Sequence, residues 1–209
     1  MRGIFSVALV LFLFGTVSVA DTITVSATGE GSCAENGQCS NLNSSTIANT
    51  LAGNFLGTRY SDWFAFDIPS LPGSITSATF QYFNAPSNSA SIFAIYDFYT
   101  ESAPTSFNSV LAGTLAGSTV VPINGGQLVS FDLNGDALAH LNSSQSSRVF
   151  FSGFVPAAGA GSQVEIFGST QGFPVATLSL TTVPEPTSVL LLGSGLIGLA
   201  ATARRRLRQ

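Results

Sequence analysis

The sequence predicts an all-β domain, an antiparallel β-sandwich of jelly-roll form, flanked by an N-terminal signal peptide and a C-terminal transmembrane helix. Three observations carry this reading. Short stretches of alternating apolar and polar residues recur along the chain, with Pro, Gly, Asn and Ser between them. A helical period is almost absent from residues 21–182. The 17 phenylalanines suit pleated surfaces and bury large areas.

The N-terminal end comes first. Arg2 is a short positive region, Ile4 to Phe14 is apolar, and Ser18-Val19-Ala20 places small residues at a cleavage site before Asp21. Residues 1–20 therefore read as a secretory signal peptide. Asp21 to Ala27 alternates Ile23 and Val25 with Thr22, Thr24 and Ser26, which predicts a first strand. Gly29 to Asn54 is polar and reads as loop, with a short helical turn between Asn41 and Leu51.

Regular patterning starts near Asn54. Asp62 to Pro69 puts Phe64, Phe66 and Ile68 on one face of a strand. A turn at residues 70–74 leads to a strand from Ile75 to Phe83. Ile92 to Tyr99 is apolar or aromatic on both faces and reads as a central strand covered on two sides. Ser102 to Thr119 reads as a long connection with a short strand at Val110 to Thr114. Strands follow at Gln127–Leu133, Arg148–Val155, Gln163–Gly168 and Val175–Thr182, with a short helix near Gly135–Asn142. In the last strand Ala176, Leu178 and Leu180 face inward.

Charge excludes one class of partner. All 11 acidic residues lie between Asp21 and Glu185, where only Arg59 and Arg148 are basic, so this region carries 2 − 11 = −9. No nucleic-acid partner is expected, because nothing there could neutralise a row of phosphates. Cys33 and Cys39 are the two cysteines, and the secretory end predicts a local disulfide between them.

Candidate chemistry is sparse, and the reading is non-enzymatic with no cofactor. Asp132, Asn134 and Asp136 have the alternate spacing that opens a calcium loop. Ala137 and Ser143 stand where an EF-hand needs Gly and Glu, so the alternative is that Asn134 or Asp136 caps the short helix. His140 is the one histidine and reads as a surface residue. Trp63 lies on the strand face opposite Phe64 and Phe66, which makes it the candidate for stacking on a sugar ring, whereas most other aromatics belong in the core. Gly193 to Gly198 spells GxGxxG, but no βαβ unit surrounds it, so it is not a dinucleotide fingerprint.

The C-terminal end directs the functional reading. Val183-Pro184-Glu185-Pro186 is followed by the apolar segment Thr187 to Ala203 and then by Arg204, Arg205, Arg206 and Arg208. Seventeen residues make a helix of roughly 25 Å, the short end of what spans a bilayer. The arginines act as a stop-transfer signal on the cytoplasmic side. These residues, 183–209, resemble the PEP-CTERM sorting signal of Gram-negative bacteria. The resemblance implies an extracytoplasmic precursor held transiently at the inner membrane. It implies processing by exosortase, a polytopic membrane enzyme, and final residence in the envelope, at the cell surface or in an extracellular matrix rich in exopolysaccharide.

Residues 59–80 show a second likeness. An Arg precedes an aromatic strand ending in Phe66-Asp67, and a Pro/Gly turn leads to Ser77-Ala78-Thr79-Phe80. Val129 to Leu133 followed by the short helix fits the same plan. This resembles the DNRLRE/disaggregatase-related carbohydrate-binding modules and implies a sandwich fold for residues 21–182. Two functions follow from the resemblances: a structural or adhesive component of a biofilm matrix, and a polysaccharide-binding module. A carbohydrate-active enzyme is the third alternative.

Overall fold

A computed structural model describes residues 20–37, 39–40, 49–85, 93–101, 103–122, 126–156, 164–168 and 174–184, with 193, 195–198, 200 and 204 near the C-terminus. The signal peptide, apart from Ala20, lies outside the described residues. So do Glu185, Pro186, Arg205, Arg206, Arg208 and most of the expected membrane span. Gly193, residues 195–198, Ala200 and Arg204 are helical. Among the described residues, no helix is long and apolar enough to cross a membrane.

Among the described residues, eleven strands make two antiparallel sheets: β1 (Asp21–Ser26), β2 (Gly29–Ala34), β3 (Thr50–Phe55), β4 (Thr58–Asp67), β5 (Gly73–Asn84), β6 (Phe93–Glu101), β7 (Thr114–Pro122), β8 (Gln127–Asp132), β9 (Arg148–Phe154), β10 (Val164–Gly168) and β11 (Thr177–Pro184). A 3₁₀ helix, Phe107–Ala112, precedes β7, and helix α1, Gly135–Ser143, follows β8. The smaller sheet has the order β1-β11-β5-β8. The larger runs β10-β3-β4-β9-β6-β7, with β2 also paired to β4.

The core between the sheets is aromatic. Phe80, from β5, lies 4.3 Å from Phe98, 5.0 Å from Phe64 and 5.5 Å from Phe131, ring centre to ring centre. Phe98 stacks on Phe151 at 5.2 Å. Leu178 and Leu180 of β11, and Ala176 just before it, are buried on this face, as their alternation predicted.

Several segments differ from the sequence reading. The expected loop at residues 29–54 contains two strands, β2 and β3. Gly29-Glu30-Gly31 has little strand propensity, but it pairs in register with Trp63, Phe64 and Ala65, so tertiary pairing overrides local preference. The long connection after β6 holds the 3₁₀ helix and a full strand, β7, rather than a short strand at 110–114. Central strand β6 is bare on part of its outer face, where Phe93 and Ile95 are exposed. β9 covers only the stretch from Asp97 to Glu101, so the first half of β6 extends past it.

Candidate functional site

Trp63 is 1% exposed, which corrects its reading as a stacking residue. It does point away from Phe64 and Phe66, but that side of the sheet has its own cover. Trp63 packs with Cys33, Ala65, Phe107, Val110 and Phe154, with Cys39, Tyr99 and Phe150 at the margin. A Cβ on Gly31 would stand 2.8 Å from the Trp63 ring and 2.5 Å from Ser40 Oγ, so only glycine fits between them. The Cys33–Cys39 disulfide is formed and belongs to this cover.

The calcium candidates have other partners. Asn134 is the N-cap of α1: its Oδ1 accepts from Ala137 N at 3.0 Å, and its Nδ2 donates to the Leu115 carbonyl at 2.6 Å. Asp132 accepts from Thr79 Oγ1 at 2.6 Å, and Asp136 lies exposed in the first turn of α1. The helix-cap reading is the one the structure realises. Among the described residues, no group of three His, Cys, Asp or Glu side chains could hold a metal ion. His140 is half-buried against Phe151, and burial lowers its pKa.

Sequence reasoning missed the buried carboxyls. Glu30 on β2 and Asp62 on β4 share the inner face, because Glu30 faces Phe64 and Ser32 faces Asp62 across the pair. Asp62 is 1% exposed and accepts from Tyr96 Oη at 2.7 Å. Burial pushes its carboxyl up to about 7, against the opposing effect of the Tyr96 bond. Glu30 accepts from Ala176 N at 2.6 Å and is likewise pushed up to about 7 by burial. Burial, with Asp62 close by, raises the Tyr82 and Tyr96 phenols well above their ordinary range. Gly153 makes this network possible. It faces Asp62 across the sheet, and a Cβ there would sit 1.9 Å from Tyr96 Oη. Glu30 and Tyr82 also border a recess with room for about one water molecule. The group is a cluster of core carboxyls and phenols in which Asp62 Oδ2 and Tyr82 Oη keep no hydrogen-bond partner among the described residues.

The remaining candidate is the end of β11. This strand continues two residues past the expected domain end at Thr182, so Val183 faces Ser74 and Pro184 faces Gly73 of β5. β5 is held from its other edge by side chains. Asn142 accepts from Ile75 N at 2.8 Å and donates to the Ile75 carbonyl at 2.9 Å. Gln145 accepts from Leu71 N at 3.1 Å and donates to the Gly73 carbonyl at 3.2 Å. Proline fixes its own φ and has no backbone N–H, so the two prolines favour an extended junction here. Pro184 is in a strand, and Pro186 lies outside the described residues.

Residues 182–206 match the family described as the PEP-CTERM protein-sorting motif. The chain carries this sorting motif. The PEP-CTERM motif thus begins inside the last strand of the folded domain, at buried Thr182. No curated protein matches the chain. Similar solved structures include the K1 cleaved adhesin domain of Lys-gingipain from Porphyromonas gingivalis W83, at 11% identity and TM-score 0.27, covering 79% of this chain and 95% of that one. Another is the enzymatically active domain of tailspike protein 4 of bacteriophage CBA120, at 9% identity and TM-score 0.26, covering 81% of this chain and 20% of that one. A third is a carbohydrate-binding module of the β-sandwich superfamily, at 11% identity and TM-score 0.24, covering 82% of this chain and 58% of that one. With identities and TM-scores this low, function has to be argued from the chain's own residues.

Proposed function

We propose that this is a non-enzymatic extracytoplasmic protein, sorted by an exosortase-type membrane enzyme through its PEP-CTERM motif, and that its sandwich domain is a structural or adhesive part of an exopolysaccharide matrix. The observation that carries this reading is the motif at residues 182–206, which begins inside the last strand. In this reading residues 1–20 are removed on secretion, residues 21–182 form the bulk of a jelly-roll-like domain, and the segment Thr187 to Ala203 holds the precursor in the inner membrane. Arg204, Arg205, Arg206 and Arg208 keep its end cytoplasmic.

The two buried carboxyls, Glu30 and Asp62, have partners inside the domain, Ala176 N and Tyr96 Oη, which supports reading them as core residues. A polysaccharide-binding role is the second reading. It draws on the uncharged Ser-, Thr- and Asn-rich strand faces, such as Thr22 and Thr181, which bond to each other at the surface at 3.2 Å.

The test is the cell fraction and intact mass of the mature protein, with and without the sorting enzyme. Loss of the C-terminal segment only when the enzyme is present is the expected result. Replacing Pro184, Glu185 and Pro186 together with Ala should leave the precursor in the inner membrane. Normal maturation of that variant would sink the sorting reading.

A further inference from the structure

The two processed ends of the chain meet on one rung of the smaller sheet. β1 begins at Asp21, and Asp21 faces Thr182 of β11. The signal-peptide cut expected before Asp21 and the first residues of the PEP-CTERM motif therefore lie side by side. β1 and β11 are antiparallel, so the chain before Asp21 and the chain after Pro184 leave the domain at the same end.

Past this rung β1 has run out, and among the described residues Val183 and Pro184 pair with β5 alone, through Ser74 and Gly73. On its other edge β5 pairs with β8 only from Thr79 to Asn84. Asn142 and Gln145 take the place of a strand there, and their four hydrogen bonds to Leu71, Gly73 and Ile75 hold the backbone that receives the motif. From Pro184 to Thr187, where the apolar segment starts, the chain reaches at most about 10 Å. A membrane-embedded enzyme that reads the motif while this segment is in the bilayer must meet this end of the folded sandwich.

We propose that this end, built from Asp21, Gly73 to Ile75, Asn142, Gln145 and Thr182 to Pro184, is the docking surface for the sorting enzyme. It presents Val183 and Pro184 as a fixed, extended strand, and the chain is cut on the C-terminal side of Pro184. The inference rests on the sorting reading given above. Its physical basis is twofold. Backbone paired in a sheet cannot enter an active-site cleft without first unpairing, so the bonds up to Val183–Pro184 are shielded. The ordering of these two residues is also complete before the enzyme binds, which favours recognition. In the cut itself the peptide C–N bond breaks. The acyl carbon passes to the enzyme's nucleophile and then to water or an acceptor amine, and the departing nitrogen gains a proton.

The experiment uses the full chain in a host with the matching enzyme. An intact mass ending at Pro184 or beyond is expected, and an end at Thr182 or Val183 overturns the proposal. A Gly-Ser-Gly-Ser spacer inserted between Thr182 and Val183 keeps the Asp21–Thr182 rung and leaves residues 183–206, with Val183-Pro184-Glu185-Pro186, contiguous, but frees Val183 and Pro184 from β5. It should slow maturation roughly tenfold, the effect of leaving one or two residues to be ordered on binding. The accumulated precursor should still contain the Cys33–Cys39 disulfide as a sign of folding. Asn142→Ala combined with Gln145→Ala should slow maturation in the same direction. An unchanged rate in the spacer variant overturns the docking surface alone. A chain that stays full length with the enzyme present overturns the sorting reading, and this proposal with it.

Discussion

The two faces of the larger sheet make two different cores from one alternating strand. On β4, Phe64 and Phe66 enter the aromatic core between the sheets, while Trp63 and Ala65 enter a smaller core on the outside. The inner core is closed by a second sheet, whose Phe80 meets Phe64 and Phe98 across the gap. The outer core is closed by local pieces, the 3₁₀ helix and the disulfide-bonded turn after β2. Neither face satisfies all of its polar atoms: among the described residues, Trp63 Nε1, Ser61 Oγ and Glu101 Oε1 on the outer side and Asp62 Oδ2 and Tyr82 Oη on the inner side have no hydrogen-bond partner, although Glu101 accepts from Ser152 through its other oxygen. A period of two therefore tells which residues share a face, but not whether a face is wet.

The largest expected difference is between two truncations. Phe80→Ala opens the centre of the inner core and should cost about 4 kcal/mol in urea denaturation. Trp63→Ala should cost about 3 kcal/mol, because the outer cover can partly collapse into the gap. A loss for Trp63→Ala below about 0.5 kcal/mol would match a surface residue and remove the outer core from the account.

The inner core should also carry the pH dependence. Glu30 and Asp62 rise from ordinary values of 4.5 and 3.8 to about 7 in the folded protein. The folded state then holds these protons more tightly than the unfolded chain. Their contribution is full below about pH 4 and is lost as pH rises through about 7, a change on the order of a few kcal/mol. The thermal midpoint should fall between about pH 5 and pH 8. Asp62→Asn should flatten that fall while keeping an acceptor for Tyr96 Oη. A wild-type midpoint that is flat or rises over this range would mean that the inner carboxyls are not held protonated.

The smallest effect sharpens the contrast. Cys33→Ser with Cys39→Ser should cost about 2 kcal/mol, as expected for a short crosslinked loop. It should shift the Trp63 fluorescence to the red, because the turn over that ring loosens. The pH dependence carried by Asp62 should stay as it was. If the double variant altered both readouts equally, the two cores would not be separate units.

Much of this molecule could be read from local pattern. The alternation in β1, β4, β5 and β11, the Pro/Gly turn before β5 and the Asn134 cap of α1 all appear as short-range signals. The disulfide and the sorting motif needed only residue identity and spacing. β2 and β3 could not be read this way, because Gly- and Ser-rich segments become strands only when β4 offers them a partner. Of the residues near the sorting motif, Asn142 and Gln145 were equally silent, because their partners stand 67 to 74 positions away in the chain.

The division follows from the range of the forces. Strand periodicity, caps, turns and a terminal sorting motif are written in neighbouring residues, so sequence was enough for the all-β class, the disulfide and the sorting signal. Burial and strand pairing join residues far apart, and they took shape only on folding. They closed Trp63 inside, placed Glu30 and Asp62 where a carboxyl prefers its proton, and set Val183 and Pro184 against Gly73 and Ser74 at the end of the domain that Asp21 shares.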